Sequence, residues 1–305
     1  MIQFRSFQQR LADELDKIEA DIVDLWRKGS IEEFRNHPYS GIVVFTHPYH
    51  WKSLPAEHRG LQAKLLGTYK HWFELFNHCH QQHSSDVRDE IKETDSYVIS
   101  AIELQTSWAT EATVDGNAAY LAKRLTVFRQ LLAHPAPGTP ELVLVPDTNA
   151  LLQSPDPAHY ADVVVGTKSF KFALAPTALS ELDQIKQLRG HQPVGEKAEK
   201  AIRLIKGWRN QGSVLEGVTV AKTITVQMIP TEPRMSKLPS WLDADNKDDR
   251  LIGTALEIQC SHLLAVVVLV TGDINLQNKA EMAFLPWAEP PQPQAKAAKA
   301  APDKS

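Results

Sequence analysis

The chain has 305 residues, a net charge of −4 and 43% apolar residues, a composition typical of a globular protein with one large or two ordinary domains. The acidic charge argues against a protein that binds nucleic acid mainly by neutralising phosphates, so any nucleic-acid-binding surface must be local. No apolar run approaches the roughly 20 residues that cross a bilayer, and Met1–Arg10 lacks the apolar core of a signal peptide, so no membrane contact is expected.

The first part of the chain predicts a helical domain. Helices are expected over residues 61–76, 87–108 and 118–132, and a first helix is expected to end at Gly29-Ser30. The proline-rich segment 134–140 predicts a boundary, so residues 1–140 are interpreted as a separate N-terminal domain. The first helix is indicated by apolar residues at three- and four-residue spacing: Phe4, Phe7, Leu11, Leu15, Ile18, Ile22, Leu25 and Trp26.

After this boundary, short apolar strands alternate with helices. Strands are predicted over residues 141–145, 170–175, 224–229 and 263–270, and helices over 177–188, 196–210 and 247–260. This alternation predicts an α/β domain over residues 141–289, with a parallel sheet flanked by helices. The last segment, 290–305, is rich in Pro, Gln, Ala and Lys and predicts a disordered tail.

Four carboxylates lie at or near the predicted strand ends. Asp147 and Asp273 each follow an apolar strand. Glu181 lies about one turn into the helix after the second strand. Asp249 lies in the first turn of the helix that precedes the last long strand. Because ligand sites form at the carboxyl ends of parallel strands, these side chains are expected to converge. Taken singly, each acid could instead be a helix cap, a turn residue or a solvated surface charge.

A cluster of four carboxylates is unfavourable unless a cation compensates the charge. Hard oxygen ligands suit Mg²⁺ or Mn²⁺, which retain waters and also bind phosphate oxygens. Such an ion can activate water for attack on phosphorus and neutralise the developing charge. The pattern therefore favours phosphodiester hydrolysis over proton transfer between two carboxyls.

The sequence around these acids resembles the four motifs of PIN domains, in family order, over about residues 141–287. The first motif is Asp147-Thr-Asn-Ala-Leu-Leu-Gln-Ser-Pro-Asp156, and the second is Ala175-Pro-Thr-Ala-Leu-Ser-Glu-Leu-Asp-Gln-Ile-Lys186. The third is Asp248-Asp-Arg-Leu-Ile-Gly-Thr-Ala-Leu256, and the fourth is Val270-Thr-Gly-Asp-Ile-Asn-Leu-Gln-Asn-Lys-Ala280.

The resemblance implies a nuclease dependent on Mg²⁺ or Mn²⁺ that usually acts on single-stranded or structured RNA. It implies that Asp147, Glu181, Asp249 and Asp273 are both the catalytic and the metal-binding acids. Of the adjacent Asp248 and Asp249, Asp249 is chosen because it precedes Ile252 by three residues, the usual offset in the family. The residues implied to hold these carboxylates by hydrogen bonds are Thr148, Asn149 and Thr271.

Basic residues follow Glu181 and predict a local nucleic-acid-binding surface. The alternative is an ordinary solvated helix face with mixed charges. The candidates are Lys186, Arg189, Lys197, Lys200, Arg203 and Lys206, and Arg209 continues the same spacing.

Other patterns are less specific. His78, Cys79, His80 and His83 lack the second ligand pair that a structural zinc site needs, and no phosphate-binding or dinucleotide-binding glycine motif is complete. Cys79 and Cys260 are too few for a disulfide framework, which favours a reducing compartment, the cytoplasm.

The leading interpretation is an endoribonuclease, with self-association into a homo-oligomer left open. A non-catalytic RNA-binding or scaffold protein with a PIN fold and a toxin of a toxin–antitoxin pair are the alternatives. Four retained acids argue against the former, and the long helical region argues against the latter.

Overall fold

The computed structural model describes residues 5–33, 47–133, 141–163, 169–187 and 192–292. Within these ranges, the N-terminal part contains four α-helices and one two-stranded antiparallel ribbon. In chain order these elements are α1 (Phe7–Trp26), β1 (Ile31–Glu33), β2 (Tyr49–Trp51), α2 (Arg59–Cys79), α3 (Ser85–Ile102) and α4 (Val114–Ala133).

Helix α1 begins where its sequence supplies a capping box. The Ser6 hydroxyl accepts from the Gln9 backbone N–H, and the Gln9 side chain accepts from the Ser6 N–H. The apolar stripe of the helix is buried against α2 and α4. Two buried tryptophans fix the packing, because the Trp72 indole donates to the Leu11 carbonyl and the Trp26 indole donates to the Ala101 carbonyl, each at 2.9 Å.

The C-terminal part is a six-stranded sheet flanked by helices, which confirms the predicted α/β class. The order of the described strands is β5-β6-β4-β3-β7-β8, and among them only β5 runs antiparallel to its neighbour. The elements are β3 (Leu142–Pro146), α5 (Thr148–Gln153), β4 (Phe170–Leu174), α6 (Pro176–Gln187), α7 (Gln192–Arg209), β5 (Val218–Ala221), β6 (Ile224–Met228), α8 (Lys247–Ser261), β7 (Val266–Val270), α9 (Ile274–Met282) and β8 (Trp287–Ala288).

Some elements differ from the sequence predictions. The helix predicted over 87–108 ends at Ile102, because Leu104 adopts a left-handed φ of 57°. Trp108, which extended the apolar pattern, is 69% exposed in the loop that follows. The edge strands β5 and β8 were not predicted, and neither were the short helices α5 and α9. The predicted boundary at 134–140 and most of the predicted tail, from residue 293 onward, lie outside the described residues.

Helix α2 joins the helical region to the α/β domain. Its Glu74 carboxylate accepts from the Ser240 hydroxyl at 2.7 Å, and its His78 ring meets the Lys237 carbonyl at 2.9 Å. Cys79, the last residue of α2, forms a disulfide with Cys260 near the end of α8. The cysteine count excluded a framework of bridges, but it did not exclude this single bridge, so the inference of a reducing compartment loses its basis.

Within the described ranges, every helix is too short or too polar to span a bilayer.

Candidate active site

The site lies at the carboxyl edge of the sheet, where β3 is flanked by β4 on one side and β7 on the other. This reversal of strand order leaves a crevice beyond the strand ends, the usual place for a ligand in an open α/β sheet. A cavity of about 50 Å³ opens there, with room for a few water-sized groups. It is lined by Asp147, Thr148, Asn149, Thr177, Ala178, Glu181, Lys247, Asp248, Leu251, Asp273 and Leu276; we call it the acidic pocket.

Asp147 is the most buried acid of this pocket, with 5% of its surface exposed. It caps α5, since its Oδ1 accepts from the Ala150 backbone N–H at 2.6 Å, and its Oδ2 accepts from the Thr271 hydroxyl at 2.5 Å. Burial raises the pKa of the Asp147 carboxyl; the two hydrogen bonds oppose this effect, while the nearby Asp273 and Asp248 reinforce it. The Asp147 carboxylate therefore has a fixed orientation, and its negative charge is unfavourable unless a positive charge compensates it.

Glu181 reaches the pocket from the second turn of α6 and is held from both sides. The Thr148 hydroxyl donates to its Oε2, and the Lys247 ammonium lies 3.2 Å from its Oε1. Thr148 follows Asp147 directly, so the start of α5 fixes two acids at once. Asn149 also lines the pocket, and its role in holding a carboxylate by a hydrogen bond stays a prediction.

Asp273 lies at the exposed mouth of the pocket and caps α9 by accepting from the Asn275 N–H at 2.7 Å. Its own backbone N–H donates to the Thr271 hydroxyl oxygen at 3.0 Å. Thr271 therefore links two acids, since the same hydroxyl donates its proton to Asp147. This fully buried threonine sets the spacing between the ends of β3 and β7.

The fourth acid of the pocket is Asp248 rather than the predicted Asp249. Asp249 is 5% exposed, its Oδ1 lies 2.6 Å from the Lys279 ammonium, and its Oδ2 accepts from the Asp243 N–H at 2.9 Å. The offset of three residues that favoured Asp249 places it on the same helix face as Ile252, and that face is buried. Asp248 shares its face with Leu251, which lines the pocket.

The pKa of the Asp248 carboxyl depends first on burial and then on the other charges at this edge. Burial raises the pKa of its carboxyl, and the negative charges of Asp273, Glu181 and Asp249 raise it further, whereas Lys279 lowers it. The negative charges of Asp248 and Asp273 likewise raise the pKa of the Asp147 carboxyl. These mutual effects link the four pocket acids electrostatically.

The donor set of the pocket fits Mg²⁺ or Mn²⁺. Carboxylate and hydroxyl oxygens are hard ligands, and Mg²⁺ is commonly held by one or two carboxylates with water completing its shell. In the described part of the chain, no three His, Cys, Asp or Glu side chains come close enough to enclose an ion by themselves. An ion in this pocket would therefore keep part of its water, as the sequence analysis expected for Mg²⁺ or Mn²⁺.

The described residues of the predicted basic surface are not among those that line the pocket. Lys186 is exposed near the end of α6, and Arg189 lies outside the described residues. On α7 the exposed basic residues are Lys197, Lys200, Arg203 and Lys206, and Arg203 pairs with Glu199 at 3.0 Å.

Cys79 is bound in a disulfide, so it cannot serve as a thiolate ligand of the zinc site that the sequence made improbable.

Lys247 and Thr177 also line the pocket and were not singled out from the sequence. Lys247 could have been noticed because a cation at the first position of a helix opposes the helix dipole. Thr177 donates to Glu232 at 2.9 Å, a contact between distant segments that sequence spacing does not reveal.

Comparison with known families gives one match. Residues 144–287 match the model of the PIN domain, and no curated protein matches the chain. The matched range contains all four pocket acids together with Thr148 and Thr271. The C-terminal half of this chain therefore belongs to the PIN-domain family, whose fold is of the nuclease type.

Proposed function

We propose that the protein is a divalent-metal-dependent endoribonuclease that hydrolyses phosphodiester bonds in single-stranded or structured RNA. The observation that carries this proposal is the acidic pocket at the sheet edge of a PIN domain, where Asp147, Glu181, Asp248 and Asp273 are all lining residues. Binding RNA without cleaving it would not require four carboxylates in one pocket, because their repulsion opposes an anionic ligand.

The different burial of the pocket acids indicates different roles for them. Asp147 and Asp248, which are partly or largely buried, are the candidates to hold Mg²⁺ or Mn²⁺ directly. Glu181 is partly buried like Asp248 and is a further candidate ligand of the ion, whereas the exposed Asp273 faces the side from which a phosphate and water would enter. A bound ion would supply an activated water and neutralise charge at phosphorus. Thr271 and Thr148 keep the Asp147 and Glu181 carboxylates oriented throughout.

Asp249, named by the sequence analysis, enters this proposal as a supporting residue. Its carboxylate is occupied by Lys279 and by the Asp243 N–H, so it holds α8 against α9. We retain the exposed basic residues of α6 and α7 as the candidate RNA-binding surface. The cytoplasmic location stays a prediction, without support from the cysteine count. The division into domains 1–140 and 141–289 is likewise a prediction.

A cleavage assay on the full chain tests the proposal. Labelled single- and double-stranded RNA and DNA are incubated with Mg²⁺, Mn²⁺ or EDTA. We expect single-stranded RNA to be cut internally with either ion and to survive in EDTA. Asp147→Asn should remove the activity, while Asp183→Asn, the same change at an exposed position on α6 that does not line the pocket, should retain it. Cleavage that persists in EDTA, or that Asp147→Asn leaves intact, would contradict the proposal.

A further inference from the structure

Lys247 is the one positively charged residue among the described residues that line the acidic pocket. Its ammonium lies 3.2 Å from the Glu181 carboxylate and donates to the Gln184 side-chain oxygen at 3.1 Å. Lys247 also occupies the first position of α8, where the partial positive charge of the helix end disfavours a cation. Helix stability therefore does not explain this lysine, whereas the charge of the pocket does.

We propose that Lys247 is a substrate-positioning residue that exchanges partners, pairing with Glu181 in the free enzyme and with a phosphate oxygen of the nucleic acid once a metal ion is bound. This inference rests on the proposed function. A phosphodiester that approaches four carboxylates is repelled, and a flexible lysine at the pocket wall offers three donors and a compact positive charge to offset that repulsion.

The exposure of the ion pair makes such an exchange inexpensive. The Lys247 side chain is 45% exposed and that of Glu181 is 28% exposed. Ion pairs this accessible to water contribute little net stability, so the lysine can leave Glu181 at small cost. When Glu181 turns to a metal ion, the ammonium is displaced toward the opening of the pocket, where phosphate would enter.

Lys279 lies near the same edge of the sheet but, unlike Lys247, is held firmly by its ion pair. Its ammonium lies 2.6 Å from Asp249, whose side chain is only 7% exposed, and the Lys279 side chain is 25% exposed. Breaking a buried pair of this kind leaves an uncompensated charge, so Lys279 is held in place. It does not line the pocket. Of these two lysines, only Lys247 combines access to the pocket with a partner that it can release.

The exchange predicts two effects of opposite sign for Lys247→Gln. Because the lysine competes with the metal ion for Glu181, its removal should tighten Mn²⁺ binding about two- to fivefold. Because the lysine also contacts phosphate, its removal should raise KM for single-stranded RNA several-fold and reduce the salt dependence of log KM by about 0.7. A lysine that only supported the fold would not produce both effects.

Four full-length proteins test the inference: the parent, Lys247→Gln, Lys247→Arg and Lys222→Gln. Lys222 is exposed in the turn between β5 and β6, at the edge of the sheet opposite the pocket, so it is a matched loss of charge. Mn²⁺ affinity is measured by calorimetry without RNA, and KM is measured at saturating Mn²⁺ over a range of NaCl concentrations. Thermal unfolding checks that each variant is folded.

We expect Lys247→Gln to bind Mn²⁺ more tightly and RNA more weakly, and Lys222→Gln to resemble the parent. Lys247→Arg keeps the positive charge, so it should recover most of the RNA affinity that Lys247→Gln loses. Unchanged or weaker Mn²⁺ binding by a folded Lys247→Gln protein would overturn the inference while leaving the proposed function intact. An unchanged KM for RNA would do the same. If the parent binds Mn²⁺ but does not cleave RNA, the proposed function fails, and the calorimetric comparison still decides whether Lys247 competes for Glu181.

Discussion

Asp248 and Asp249 are neighbours in the chain, yet the Asp248 side chain lines the acidic pocket while the Asp249 carboxylate is buried against the Lys279 ammonium. Successive residues of a helix point about 100° apart, so the two carboxylates leave α8 in different directions. Two acids with the same chemistry therefore have separable roles, and substitution can distinguish them.

The first prediction is that Asp248→Asn lowers metal-dependent RNA cleavage by about 100-fold or more while leaving the protein folded. Asparagine keeps the shape of the side chain but removes a negative charge and a strong metal-ligand oxygen. Cleavage rates and Mn²⁺ calorimetry measure this effect, and Asp183→Asn is the control. Parental Mn²⁺ affinity in Asp248→Asn would show that this side chain does not hold the ion.

The second prediction is that Asp249→Asn mainly reduces stability. It leaves the largely buried Lys279 ammonium without its partner, and breaking a buried pair typically costs about 3 kcal/mol of unfolding free energy. The double variant Asp249→Asn/Lys279→Met should recover much of this loss because no unpaired charge remains. Urea unfolding of the parent, both single variants and the double variant measures the coupling; additive losses would argue against the pair.

The third prediction concerns Asp147→Asn. Since burial raises the pKa of this carboxyl, its charged form destabilises the metal-free protein, and the neutral amide removes that cost. The metal-free variant should therefore be as stable as the parent at neutral pH or slightly more stable, but it should gain less from added Mn²⁺. Thermal unfolding with and without Mn²⁺ gives both values. An equal gain from Mn²⁺ in the two proteins would show that Asp147 is not a ligand.

The fourth prediction is a pH dependence with a defined sign. The pKa values of the Asp147 and Asp248 carboxyls are raised in the folded protein. In the pH window between the ordinary carboxyl pKa and these raised values, the folded protein therefore binds more protons than the unfolded chain. These two groups therefore make the metal-free protein less stable as pH rises through that window. Metal ions compete with the same protons, so the Mn²⁺-induced rise in Tm should shrink as pH falls through the window. A constant rise in Tm would contradict this.

Much of the α/β half could be predicted because its signals are local. Strands β3 and β7 are buried on both faces, so their sequences are continuously apolar and do not alternate between apolar and polar residues. Such runs are typical of parallel sheets, and for that reason a parallel sheet could be predicted. Asp147 and Asp273 were expected at one sheet edge because the carboxyl ends of parallel strands meet there. The strand β5 was missed because its four residues gain their pairing only from the tertiary position of β6.

The details of the site depend on contacts that no local pattern encodes. The choice between Asp248 and Asp249 depends on the rotation of α8 about its axis, which is fixed by its packing against the sheet and α9. The pairing of Lys247 with Glu181 likewise requires α8 and α6 to lie side by side. Cys79 and Cys260 gave no indication of their pairing because their sequence separation is 181.

The bridge between Cys79 and Cys260 makes a covalent ring of the chain between them, and three of the four pocket acids lie on that ring, with Asp273 beyond its closure. A single backbone cut anywhere in the ring would leave the two pieces joined until a reductant is added, so nicked protein should run as one band on a non-reducing gel and as two after reduction. In the chain-entropy account, closing a ring this long stabilises the fold by about 5 kcal/mol. Reduction would leave α2 and α8 joined only by their non-covalent contacts.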